Sequence, residues 1–202
     1  MLARLSAAII AAIAWIGIGI HFEALISSGS STPSAIWALV SYFTILANLL
    51  IALVFTVIAL TRNAAERPKL IAGTALGIML VGIVYALLLS GLTELSGGSA
   101  VANVLLHQAT PVLVPLFWLA FVPKGRLGWT DPFIWAIYPL AYLVYALVRA
   151  RIEGRYAYPF IDVGANGWVT VILTCAVIAI GFIIAGWIVV AIDRALGARG
   201  NG

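Results

Sequence analysis

The chain has 202 residues, 64% of them apolar and only 9% charged, with a formal net charge of +4 at neutral pH. A soluble domain carries roughly a quarter charged residues, so these proportions exclude one and predict an all-α integral membrane protein. The positive charge lies in short loops rather than on a basic face, which gives nucleic acid binding no support.

Taking about 20 apolar residues as one crossing, the chain predicts a bundle of six transmembrane helices at roughly 3–22, 36–60, 70–91, 101–122, 132–150 and 168–192. Arg4 and the apolar run from Leu5 to Ile20 have the look of a secretory signal. That run is longer than the roughly 7–15 residues of a signal core, so it is expected to be the first membrane helix. The connections at 27–35, 61–69, 96–99, 123–126 and 151–167 are too short to fold alone, so 1–202 reads as a single transmembrane domain. The chain shows no internal repeat, which argues against a transporter built from duplicated halves. Cys175, the one cysteine, lies in an apolar run and reads as a small packing residue. Gly73 and Gly77 form a small-x-x-x-small pair able to pack within or between chains, which leaves the oligomeric state open.

Basic residues orient such a bundle. With both termini cytoplasmic, Arg4, Arg62, Arg67, Lys69, Lys124, Arg126, Arg194 and Arg199 fall inside, eight of the eleven. A multi-pass protein of the cell membrane is the expectation. The three outside, Arg149, Arg151 and Arg155, cluster beside Glu153 and Asp162. They suit either an ion pair, an anionic head group or a plain solvated loop.

In the fourth segment, Asn103-Val-Leu-Leu-His107-Gln-Ala-Thr110-Pro111-Val-Leu-Val-Pro115 places a histidine and two prolines at membrane depth. An ionisable residue there is costly and marks a candidate site. Pro111 has no N–H for the carbonyl of His107, and Pro115 none for that of Pro111. Thr44 lies eight residues into the second segment and His107 six into the fourth, so both are expected about 10 Å below the outer boundary at 1.5 Å per residue. Ser41, Thr44 and Asn48 share one side by helical spacing, as do Asn103, His107 and Thr110. Tyr85, Tyr142, Tyr145 and Arg149 approach the same outer third, with His21 and Glu23 at the end of the first helix. Small polar residues also glue membrane helices together, so each of these has a packing alternative.

The chain has no Gly-x-Ser-x-Gly elbow, His-Glu-x-x-His zinc helix or Gly-rich phosphate loop. The two histidines with Glu23 and Asp162 lack diagnostic metal spacing, and no metal or cofactor is expected. What remains is hydroxyl plus imidazole. A threonine is a poor nucleophile until a base takes its proton, and His107 is the deep side chain suited to that. Asn48 or Asn103 would donate to an oxyanion, and Asp162 is the best available carboxylate to orient His107.

Three stretches together resemble a known family: Tyr42-Phe43-Thr44-Ile-Leu-Ala-Asn48-Leu-Leu; His107 with its prolines; and Trp135-Ala-Ile-Tyr138-Pro139-Leu-Ala-Tyr142 leading through Arg149 to Tyr158-Pro159-Phe160-Ile-Asp162. They are similar to the bacterial predicted-six-transmembrane family, which looks related to the eukaryotic androgen-induced and androgen-dependent TFPI-regulating proteins, intramembrane threonine hydrolases. The resemblance implies hydrolysis of lipid esters, notably fatty acid esters of hydroxy fatty acids, with Thr44 and His107 at the positions of the essential pair. A small hydroxyl residue is expected just before the helix-two asparagine, where this chain carries Ala47. The expected partners are membrane lipids and a lipid-ester substrate held by Tyr85, Tyr142, Arg149 and Tyr158. The alternative is a protein that binds or transports a lipid or small molecule in the same pocket without covalent chemistry.

Overall fold

The computed structural model describes residues 1–61, 67–92 and 94–199; Arg62, counted above with the inner basic residues, lies outside them. The described chain is helical, with no strand among its residues. Helices α1 (Leu2–Ser27), α2 (Thr32–Leu39) and α3 (Phe43–Leu60) are followed by α4 (Pro68–Val84), which runs on into a π turn at Tyr85–Leu89. Then come α5 (Gly97–Val104), a second π turn at Leu105–Ala109, α6 (Thr110–Phe121), α7 (Asp131–Glu153), a 3₁₀ turn at Pro159–Ile161 and α8 (Val163–Arg199). Six units are long and apolar enough to cross a membrane: α1, α3, α4 with its π turn, α5 through α6, α7, and α8. This is a multi-pass membrane protein.

Small residues let the first helix approach closely. Ala7, Ala11, Ala14 and Gly17 form a buried stripe on α1; α1 packs mainly against α3, and Gly17 lies against Leu105 and Leu106 of the second π turn. Further in, Phe55 of α3 meets Phe117 of α6 edge-on at 4.9 Å. The opposite faces carry exposed large apolar residues such as Ile16, Leu53, Ile137 and Val144, as a surface solvated by lipid tails requires. Gly73 packs within the chain, where an added Cβ would come within 2.5 Å of the Trp135 ring, whereas nothing lies within 4 Å of such an atom on Gly77.

The second segment departs from its expectation. It is two helices rather than one, broken at residues 40–42, so Ser41 does not share a helical side with Thr44 and Asn48. The run Val40-Ser41-Tyr42-Phe43-Thr44 is rich in β-branched and aromatic residues that restrict poorly to helix. α7 then stabilises the break: the hydroxyls of Tyr142 and Tyr145 donate to the carbonyls of Ser41 and Val40 at 2.7 and 3.1 Å. The last helix also begins earlier than expected, at Val163, with non-helical Gly167 interrupting it at φ 74°. These breaks decide where the site lies.

Candidate functional site

Because α3 starts at Phe43, Thr44 sits in its first turn, where backbone N–H groups have no partner within the helix. The Thr44 N–H instead points to the hydroxyl of Tyr158 at 3.4 Å. Its side chain is buried, and Oγ1 lies 3.1 Å from Nε2 of His107, a residue 63 positions away.

His107 reaches that position from a π turn, and the sequence explains the turn. Thr110 N–H bonds to the Leu105 carbonyl rather than that of Leu106. Pro111 has no N–H to offer in compensation. The Leu106 carbonyl is thereby left for a side chain, and Asn48 takes it at 3.1 Å. Asn48 is fully buried; its other amide proton goes to the Thr44 carbonyl at 2.9 Å, and its oxygen accepts from the Thr110 hydroxyl at 2.7 Å. One amide thus ties the first turn of α3 to the turn that carries the imidazole.

That arrangement corrects the oxyanion role expected of Asn48, since both its donors are committed to carbonyls. Asn103 also faces away from such a role, donating to the Tyr85 hydroxyl at 2.7 Å. Tyr85 in turn lies against the His107 ring with centroids 4.4 Å apart, so it supports the imidazole. Asp162 does not orient His107. Its Oδ1 accepts the Ala165 N–H at 3.0 Å, capping the start of α8, and the buried Nδ1 of His107 has no hydrogen-bond partner among the described residues.

Close packing holds the π turn from two sides. A Cβ on Gly82 of α4 would come within 2.8 Å of the Pro111 ring, and one on Gly17 of α1 within 2.6 Å of Leu106. Neither glycine stands out from sequence, since each lies in an ordinary apolar run.

Thr44 opens onto a cavity of about 310 Å³ between α3, α4, α7 and α8. Tyr142 and Tyr158 line it beside Thr44, and the rest is almost wholly apolar, from Leu143 and Phe160 to Phe133 and Phe182. Along α7 the lining runs from Leu143 to Phe133, or ~15 Å at 1.5 Å per residue. Such dimensions suit an extended hydrocarbon chain.

Arg149 is elsewhere. It lines a second cavity of about 210 Å³ with His21, Ser41, Tyr42, Glu153 and Arg155. Its Nε, Nη1 and Nη2 donate to Glu153 at 2.6 Å, the Tyr145 hydroxyl at 2.9 Å and the Trp37 carbonyl at 2.7 Å. Its guanidinium also stacks 4.1 Å from the Trp37 ring. The expected contact with substrate beside Thr44 gives way to a clamp between α2 and α7. Glu23 accepts from Ser27 on its own helix, and no three His, Cys, Asp or Glu residues gather in metal-binding geometry among the described residues.

No family model, curated protein or solved structure matches the chain.

Proposed function

We propose that the protein is an intramembrane lipid-ester hydrolase with Thr44 as nucleophile and His107 as base. The observation that carries this reading is the 3.1 Å approach of Thr44 Oγ1 and His107 Nε2 at the edge of a deep apolar cavity. A buried hydroxyl within reach of an imidazole is the minimum arrangement for nucleophilic acyl transfer. His107 Nε2 takes the threonine proton as Oγ1 bonds to the ester carbonyl carbon. On collapse the carbon–oxygen bond to the alcohol breaks, and the imidazole returns the proton to that leaving oxygen. Water then gives a proton to His107 and attacks the acyl carbon, and Thr44 regains its hydroxyl as the fatty acid leaves.

The cavity supports an acyl chain as the buried part of the substrate. The basic residues favour cytoplasmic termini, which puts Thr44 in the outer third of the cell membrane with the cavity reaching inward. The resemblance noted above adds fatty acid esters of hydroxy fatty acids as the first substrates to try.

The test is hydrolysis by the purified protein across esters of increasing acyl length. Ala179 of α8 lines the cavity, and Ala179→Trp fills part of its apolar volume. The expected result is that long-chain esters lose at least about tenfold in kcat/KM while butyryl esters keep their rate, because only long chains need the deep volume. An unchanged length profile contradicts the acyl-channel assignment. Saturable ester binding with no turnover in the wild type replaces hydrolysis with the lipid-binding alternative.

Gly82 provides a second prediction. Gly82→Val pushes on Pro111 and shifts the π turn, so turnover should fall about 10²-fold, as expected for a misplacement near 1 Å. Gly77→Ala, with open space around its Cβ, should leave turnover unchanged. Equal rates in the two variants would show that the turn does not set the position of His107.

A further inference from the structure

Resting on the hydrolase reading, we infer that Tyr158 is a further catalytic residue: its hydroxyl and the Thr44 N–H together form the oxyanion hole. When Thr44 attacks, the carbonyl π electrons move onto oxygen, and that charge needs preorganised donors until collapse expels the alcohol.

The usual side-chain candidates are already committed. Asn48 spends both amide protons on carbonyls, and the Tyr142 hydroxyl donates to Ser41. Tyr85 and Asn103 bond to each other and do not line the cavity. Tyr158 lines the cavity next to Thr44, and its hydroxyl oxygen accepts the Thr44 N–H at 3.4 Å, with the Thr44 and Tyr142 hydroxyls as its other polar neighbours. Two donors spaced by that distance can both reach one oxygen at about 2.8 Å. The hydroxyl then turns from accepting the amide proton to donating its own, and the amide follows the oxyanion.

The ring is held for this purpose. Phe160 stacks on it at 5.3 Å with an 11° interplanar angle, while Tyr42 and Tyr142 meet it edge-on at 5.9 and 6.4 Å. The amide donor belongs to the first turn of an 18-residue helix, whose N-terminal dipole also favours negative charge.

The experiment compares kcat and KM for ester hydrolysis in wild type, Tyr158→Phe and protein with 3,5-difluorotyrosine at 158, each with its thermal midpoint. The phenylalanine keeps the ring packing and removes only the hydroxyl. We expect kcat about 10²-fold lower with KM unchanged, from the typical cost of one oxyanion donor, and recovery to the wild-type rate or above with the more acidic fluorinated phenol. Undiminished kcat in Tyr158→Phe overturns the assignment and leaves the Thr44–His107 reading standing. If Tyr158→Phe loses its fold, a fluorinated protein slower than wild type counts against the assignment. A wild type without turnover removes both readings.

Discussion

On the proposed mechanism, Thr44→Ala is expected to abolish ester hydrolysis, lowering turnover at least about 10⁴-fold, the scale of losing a catalytic nucleophile. The thermal midpoint stays close to that of the wild type. Alanine is compatible with the first turn of a helix, and the side-chain hydrogen bond to His107 is lost with the hydroxyl. The same loss is expected of His107→Ala, because the proposed mechanism uses the imidazole as base in both half-reactions. The double variant is no slower than either single one, since groups that act as a unit do not add. Steady-state hydrolysis with a chromogenic acyl ester, alongside a melting curve for each protein, checks all three. Residual turnover within tenfold of wild type in either single variant would remove that residue from the mechanism.

Asn48→Leu damages both rate and stability. The fully buried amide makes three hydrogen bonds, to the Thr44 carbonyl, to the Leu106 carbonyl and from Thr110. Leucine satisfies none of them. An interhelical hydrogen bond in a membrane protein contributes ~0.6 kcal/mol on average and up to about 1.7, so a loss of about 1–3 kcal/mol is expected from the set. The effect on turnover is larger, about 10²-fold, because the amide sets the separation of nucleophile and base. A shallower denaturation midpoint with turnover reduced in this proportion is the expected pattern. Full activity in a destabilised Asn48→Leu protein would show that the dyad is positioned by something else.

The six spans were legible because each is an apolar run long enough to cross a bilayer, and the meeting of Thr44 and His107 was legible from counting residues inward from the ends of those runs. The break before Thr44 was not. It contains neither glycine nor proline, and it is held by Tyr142 and Tyr145, about a hundred residues further along the chain. Pro111 pointed to the carbonyl of His107 itself, whereas the carbonyl that a side chain takes is that of Leu106. That the turn would become π-helical, and that Asn48 would reach Leu106, depended on packing between helices. Asp162 and Arg149 drew attention as charges near the right depth, yet one caps a helix and the other is held by Glu153, Tyr145 and Trp37. Tyr158 had no local signal for its contact with Thr44, because a loop between two spans delivers it across 114 positions.

The most direct measurement is labelling of the purified, detergent-solubilised protein with a fluorophosphonate, read by intact mass and peptide mapping. The account predicts one adduct, on Thr44, absent from Thr44→Ala and His107→Ala. Folded wild-type protein that takes up no label, or a label that persists at another residue in both variants, would contradict an activated Thr44.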